Sequence, residues 1–193
     1  MDLNMFLESV EEDTLVEAVD LSNAYDWERR SEAEYTFKDD SKQTMSVVFS
    51  TVSDAAMRMY SSYNLYDATV YSVDFDIKGG DFDLTGLGSA IKVLTTVLNI
   101  VVSFIDGSDK SENIAIAFST LKELGEPKEG ESKRFRLYKK FIDRALRDIP
   151  ELKSWKTKQF GEDNMLIYDS EKNPDMDKPF VKKKKLRRIP LQF

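Results

Sequence analysis

The chain has 193 residues, of which 41% are hydrophobic and 11% aromatic, a composition typical of a single domain with a real core. It contains no cysteine and no histidine, which excludes a disulfide framework, a thiolate nucleophile, a Ser-His-Asp triad and most zinc sites. With 28 basic and 35 acidic side chains, any catalysis must use carboxylates, tyrosine, lysine or backbone dipoles.

The charge and hydropathy patterns predict a soluble intracellular protein. The first residues are acidic and lack the basic region of a signal peptide. The longest apolar run, Ile91–Ile105, is too short and too polar to span a membrane. We therefore expect no membrane partner.

In chain order the residue patterns predict an α+β domain. A helix is expected over 4–30, and 54–66 fits either a helical turn or a wide hairpin. The remaining predicted elements are strands over 34–38, 43–52, 69–78, 113–120 and 164–168, and helices over 86–105 and 132–149. The predicted organisation is an N-terminal helical segment (1–30), an α+β domain (31–170) and a basic tail (171–193).

The strand over 69–78 has the clearest pattern, because apolar side chains alternate with polar ones. The helix over 86–105 is apolar almost all round, which predicts that it is largely buried. The strand over 113–120 is apolar on both faces, as central strands are. A buried helix that crosses between two such strands predicts that they pair in parallel.

A glycine-containing turn precedes the buried helix, with Gly86 and Gly88 at its start. The first N–H groups of a helix are free, and glycine lets a phosphate approach them closely. The same glycines also suit a tight turn without a ligand. The sequence leaves both interpretations open.

The segment from "YSVDFDI" through "TGLGSAIKVL" and "NIAIAFST" to "SKRFRLYKKFI" resembles the core of the GNAT superfamily of acyl-CoA N-acyltransferases, over about residues 43–168. That family has a strand, a phosphate-binding R/Q-x-x-G-x-G/A turn, a helix, a strand, and a helix with a Leu-Tyr pair. Two alignments with this motif are possible. In the preferred one, Thr85 stands at the position of the Arg or Gln. In the other, Asp83 stands there, and its carboxylate would repel the pyrophosphate.

The resemblance implies a GNAT-like mixed central sheet with a buried crossover helix, an N-terminal helical extension and an extended basic C-terminal arm. It also implies acetyl-CoA as cofactor, with Tyr138, of the pair Leu137-Tyr138, protonating the departing CoA thiolate. The implied cofactor-binding residues are Thr85, Gly86, Leu87, Gly88, Ser89 and Ala90. The chain departs from the family pattern at Glu131 and at Ile142-Asp143.

Asp74 and Asp76 lie on the outer face of the strand over 69–78. In a GNAT-like site either carboxylate could take the proton of the acceptor amine. The alternative is that both are solvated carboxylates on an exposed face. Together with Asp81 and Asp83 their spacing matches no calcium loop, so no metal site is predicted.

The C-terminal arm has a charge opposite to that of the rest of the chain. Lys178–Phe193 contains seven of the 28 basic residues and no acid, which leaves 21 basic and 35 acidic residues in 1–177, a net charge of −14. Such a tail could bind a protein partner, nucleic acid or a second copy of the chain, or only keep the chain soluble. The predicted partner-binding residues are Lys182, Lys183, Lys184, Lys185, Arg187, Arg188 and Phe193.

Two functions remain open. The first is a CoA-dependent N-acyltransferase, which the departures from the family pattern could have made inactive. The second is a non-catalytic protein that uses the same fold and docks through its basic tail. The layout "FST…SKRFRLYKKF" is similar to that of small phage-encoded proteins, which implies a place in the host cytoplasm or the virion.

Overall fold

A computed structural model describes residues 21–53, 68–77, 87–119, 130–160, 162 and 164–176. These residues form one mixed sheet of seven strands with two α-helices, which confirms the predicted α+β class. The elements are β1 (Trp27–Arg29), β2 (Glu34–Lys38), β3 (Thr44–Thr51), β4 (Thr69–Ile77), α1 (Leu87–Gly107), β5 (Ile114–Ser119), α2 (Lys133–Asp148), β6 (Trp155–Gln159) and β7 (Asn164–Asp169). Short 3₁₀ helices cover Leu21–Asn23 and Pro150–Leu152.

The strand order in the sheet is β1-β2-β3-β4-β5-β7-β6. Neighbouring strands are antiparallel, with the exception of the central pair β4 and β5. That pair is parallel, and α1 connects its two strands along the chain. The predicted parallel pair is therefore confirmed.

The two faces of the sheet carry separate apolar clusters, because successive residues of a strand point to opposite faces. The larger cluster lies between one face and the two helices, and β4 contributes Tyr71, Val73 and Phe75 to it. The smaller cluster lies on the other face, where Phe160 and Met176 cover β5 and β7. We call these the helix face and the opposite face.

Aromatic contacts hold α1 against the helix face. The rings of Phe104 in α1 and Phe49 in β3 stack with centroids 3.8 Å apart. Tyr71 meets the same Phe104 ring edge-on at 5.0 Å. Aromatic pairs stabilise a fold by more than the burial of their apolar area alone. These contacts therefore hold α1 across the centre of the sheet.

The helix α2 is held by polar contacts at its start and in its second half. The Ser132 hydroxyl caps its start by accepting a hydrogen bond from the N–H of Phe135 at 3.1 Å. In the second half of the helix, the Asp143 carboxylate accepts bonds from Lys139 at 2.5 Å and from the Thr157 hydroxyl of β6 at 2.8 Å. The cap sets where the helix begins, and the bond to Thr157 ties it to the edge of the sheet.

The prediction of a helix over 4–30 is wrong for its last residues. Trp27–Arg29 is an edge strand, and the Trp27 ring meets Tyr35 of β2 edge-on at 5.5 Å. A three-residue strand shows too little of a period-2 pattern to be recognised, so pairing with β2 decides its conformation. The strand β6 was not predicted either, because its sequence WKTKQ has one large apolar residue.

The other elements that fall on described residues are confirmed within two residues at each end. The segment 54–66, residues 4–20 of the N-terminal helix and the tail beyond Met176 lie outside the described residues. The terminal helix, the extended arm and the domain boundaries stay predictions. None of the helices that the structure describes is long and apolar enough to cross a membrane.

Candidate functional site

The two central strands part from each other before either one ends. They pair from Thr69 opposite Ile114 to Ser72 opposite Ala117, and within the described residues the pairing stops there. Beyond that point β4 continues to Ile77 against β3, and β5 continues to Ser119 against β7. The two parallel strands are therefore unpaired with each other at their carboxyl ends, and we call this place the gap.

An apolar cavity of about 40 Å³ lies beside this gap on the helix face. Phe75 of β4 and Phe118 of β5, both beyond the last paired residues, line it from the two strands. The lining from α1 is Leu94, Val97, Leu98 and Val101. The lining from α2 is Tyr138, Phe141 and Ile142. We call this space the central cavity.

Tyr138 lies at the edge of the central cavity and is half-buried. Its ring packs at a tilt of 56° on the ring of Phe75, with 6.0 Å between centroids. The Ser132 cap and the Asp143 contacts described above fix the helix that carries it. The structure thus brings the predicted general acid to the point where β4 and β5 part.

Asp74 is exposed and precedes Phe75, so its side chain points to the opposite face of the sheet. The structure therefore sets Asp74 and Tyr138 on different faces. The backbone of Asp76 lies in β4 opposite Ser46 of β3, and its side chain lies outside the described residues. The predicted catalytic residues do not form one cluster on one face.

The predicted cofactor turn is described only in part. Leu87, Gly88, Ser89 and Ala90 form the first turn of α1, so the helix begins where the sequence predicts it. Thr85 and Gly86 lie outside the described residues, as do the side chains of 87–90. Their contact with a phosphate stays a prediction.

Apart from Tyr138, the residues that line the central cavity were not predicted as a site. Its α1 and α2 residues have the spacing of core stripes, and Phe118 is part of an apolar strand. A sequence signal exists only in the large apolar side chains at the ends of both parallel strands, Phe75 and Phe118. Among the described residues, no three His, Cys, Asp or Glu side chains come close enough to hold a metal ion.

The resolved pKa shifts of the described residues belong to groups outside the central cavity. Burial raises the pKa of the Tyr71 phenol, and the Glu112 carboxylate adds to this rise. Burial also raises the pKa of Tyr35, although the Arg29 guanidinium partly offsets it. Hydrogen bonds from the Ser111 backbone and hydroxyl lower the pKa of Asp109.

The predicted partner-binding residues, Lys182–Lys185, Arg187, Arg188 and Phe193, lie outside the described residues. Comparison of the chain with protein-family models, curated proteins and solved structures gave no match. The gap between the strands and the central cavity are the features of the molecule that bear on its function.

Proposed function

We propose that the chain binds an acyl-CoA in the gap between β4 and β5 and transfers the acyl group to an amine, as the resemblance to the GNAT superfamily implies. The observation that carries this proposal is the end of the parallel pairing at Ser72 and Ala117, with Tyr138 and the central cavity beside it. The strand, helix, strand and helix of the resemblance correspond to β4, α1, β5 and α2.

The gap suits the amide-containing arm of CoA. The ladder between β4 and β5 ends at Ser72, and beyond that point β4 pairs with β3 and β5 with β7. An extended chain with amides of its own can lie along two strands that have parted in this way. The first turn of α1 adds free N–H groups and the positive end of the helix dipole, which favour a pyrophosphate.

The positions of Tyr138 and Asp74 on different faces are compatible with acyl transfer. A gap between two strands opens to both faces of a sheet, so a thioester held in it can be reached from either side. Asp74 takes the proton of the acceptor amine, whose nitrogen attacks the thioester carbonyl. The C–S bond then breaks, and the Tyr138 phenol protonates the leaving thiolate.

The test is calorimetric titration of acetyl-CoA into the full chain. We expect binding by the wild type and its loss in Gly88→Asp, because a carboxylate in the first turn of α1 repels the pyrophosphate. Gly107→Asp is the matched control at the other end of α1. The nearest atom to an added Cβ there is Nη1 of Arg29 at 4.0 Å, so it should fold and bind normally.

No binding of acetyl-CoA to the wild type at millimolar concentration would overturn this proposal. The remaining hypothesis would then be the non-catalytic one, a virion or host-interaction protein that docks through its basic tail. Loss of binding in both glycine variants would likewise count against a phosphate site at the start of α1.

A further inference from the structure

The central cavity has an apolar interior and an apolar mouth. Val97 and Val101 of α1 and Phe141 of α2 line it and are buried. Phe75 and Phe118, half-buried, lie where the strands part. The atoms that line the space are apolar, so it offers a ligand no hydrogen bond and no counter-charge.

We propose that the central cavity receives the acyl chain of the donor, and that the donor is a CoA thioester of a short, uncharged aliphatic acid longer than acetate. This inference rests on the proposed acyl-CoA function. The reaction requires Tyr138 close to the thioester sulfur, and the Tyr138 ring itself lines the cavity. An acyl group whose sulfur lies beside Tyr138 therefore has its chain at the cavity mouth.

The size and the apolar lining of the cavity determine which acyl chains it can bind. A space of about 40 Å³ accepts a few carbon atoms, which is more than a single methyl group needs and far less than a fatty acyl chain. Each methylene moved from water to apolar surroundings strengthens binding about fourfold. A carboxylate at the chain end would lose its hydration without gaining a partner.

The experiment measures the affinities of acetyl-CoA, butyryl-CoA and succinyl-CoA for the full chain. Butyryl-CoA has two methylenes more than acetyl-CoA, so we expect it to bind on the order of tenfold more tightly. Succinyl-CoA has about the same length as butyryl-CoA but ends in a carboxylate, and we expect it to bind no better than acetyl-CoA.

Two α1 variants test whether the preference arises in this cavity. Val97→Leu fills the cavity, so the ratio of butyryl-CoA to acetyl-CoA affinity should fall toward one without a loss of thermal stability. Val93 is 1% exposed and does not line the cavity. Val93→Leu should therefore overpack the core, lower the melting temperature and leave the affinity ratio unchanged.

The outcomes separate this inference from the function on which it rests. If acetyl-CoA binds but butyryl-CoA binds no more tightly, the acyl-chain pocket is wrong and the CoA site stands. If succinyl-CoA binds as tightly as butyryl-CoA, the apolar selection is wrong. If none of the three thioesters binds, both proposals fail. An equal loss of melting temperature in both variants would show that Val97 has no free space beside it, which also overturns the inference.

Discussion

Thr95 and Thr96 are neighbours in α1 that differ in their hydrogen bonds, although both are 0% exposed. The Thr96 hydroxyl donates to the C=O of Lys92 at 2.7 Å and accepts from the N–H of Tyr25 at 2.8 Å. It thereby joins α1 to the chain that leads into β1. Within the described part of the chain, no group forms a hydrogen bond with the Thr95 hydroxyl.

Replacing each threonine by valine keeps the shape and removes the hydroxyl. Thr95→Val should raise the free energy of unfolding by about 1 kcal/mol, because it removes a buried hydroxyl for which the described residues offer no partner. Thr96→Val should lower it by about 1–3 kcal/mol, because the N–H of Tyr25 is left unsatisfied. Urea unfolding of both variants measures the difference, and equal effects would contradict these assignments.

At Tyr138, replacement by phenylalanine keeps the ring against Phe75 and deletes the proton. If the phenol is the general acid, the rate of acyl transfer should fall by on the order of 10²–10⁴ while acetyl-CoA affinity stays the same. The rate is followed as release of CoA thiol in the presence of a panel of amine acceptors. A variant that is as fast as the wild type would leave Tyr138 as a packing residue.

At the scale of the elements, the Asp109 carboxylate is one of the groups that hold the turn between α1 and β5. Asp109 Oδ1 accepts bonds from the N–H and the hydroxyl of Ser111, both at 2.8 Å. These bonds stabilise the charged form and lower the pKa of Asp109. A carboxyl whose pKa is lower in the folded chain contributes stability above its unfolded pKa, about 3.9, and loses it as pH falls through the folded value.

We therefore expect Asp109→Ala to lower the melting temperature at neutral pH. The difference from the wild type should narrow as pH falls below about 4, because the wild type then loses the same contribution. Melting curves recorded across this pH range check the trend. A difference that stays constant down to strongly acid pH would show that the charge of Asp109 plays no part.

The central strands could be predicted from the sequence and the edge strands could not. In β2 and β4, apolar and polar residues alternate because the two faces of the sheet meet different surroundings. The edge strands β1 and β6 pair on one side and carry few apolar residues, so pairing with a neighbour decides their conformation.

The gap at the centre of the sheet could not be predicted at all. The apolar pattern of β4 runs unchanged through Tyr71, Val73 and Phe75, although the pairing with β5 ends at Ser72. The central cavity likewise depends on how α1 and α2 sit over the two strands, and the sequence pattern of each helix predicts only a core stripe. The candidate acid Tyr138 was found through the resemblance, and its place at the gap through the structure.

At the scale of the whole molecule, the described fold extends to Met176, which is 1% exposed and covers the opposite face of the sheet. Its C=O accepts a bond from the Lys158 ammonium at 3.1 Å. The part of the predicted tail that carries its seven basic residues, Lys178–Phe193, begins only two residues later. The chain is therefore tied to the sheet before these basic residues start.

Deleting 178–193 should leave the melting temperature nearly unchanged, because the anchor at Met176 remains. It should remove a partner interaction that weakens as salt rises, since exposed charges are screened over about 8 Å at physiological ionic strength. A pull-down with full-length and truncated protein at low and high salt measures this. A control that replaces Lys182–Lys185 by serine keeps the length and should lose the same partners.

The predicted role of the tail fails under either of two results. The first is the same set of partners for the full-length and truncated proteins. The second is a large fall in melting temperature on truncation, which would make the tail part of the fold.

The gap between β4 and β5 is the feature on which the proposed function depends most. Methyl NMR spectra of the full chain, recorded while acetyl-CoA is added, test it directly. We expect shifts in the methyl signals of Leu94, Val97 and Val101, which line the central cavity, and none in those of Leu152, which is buried in the 3₁₀ helix after α2 and does not line it. Unchanged signals at saturating acetyl-CoA, or shifts confined to methyl groups away from the gap, would contradict it.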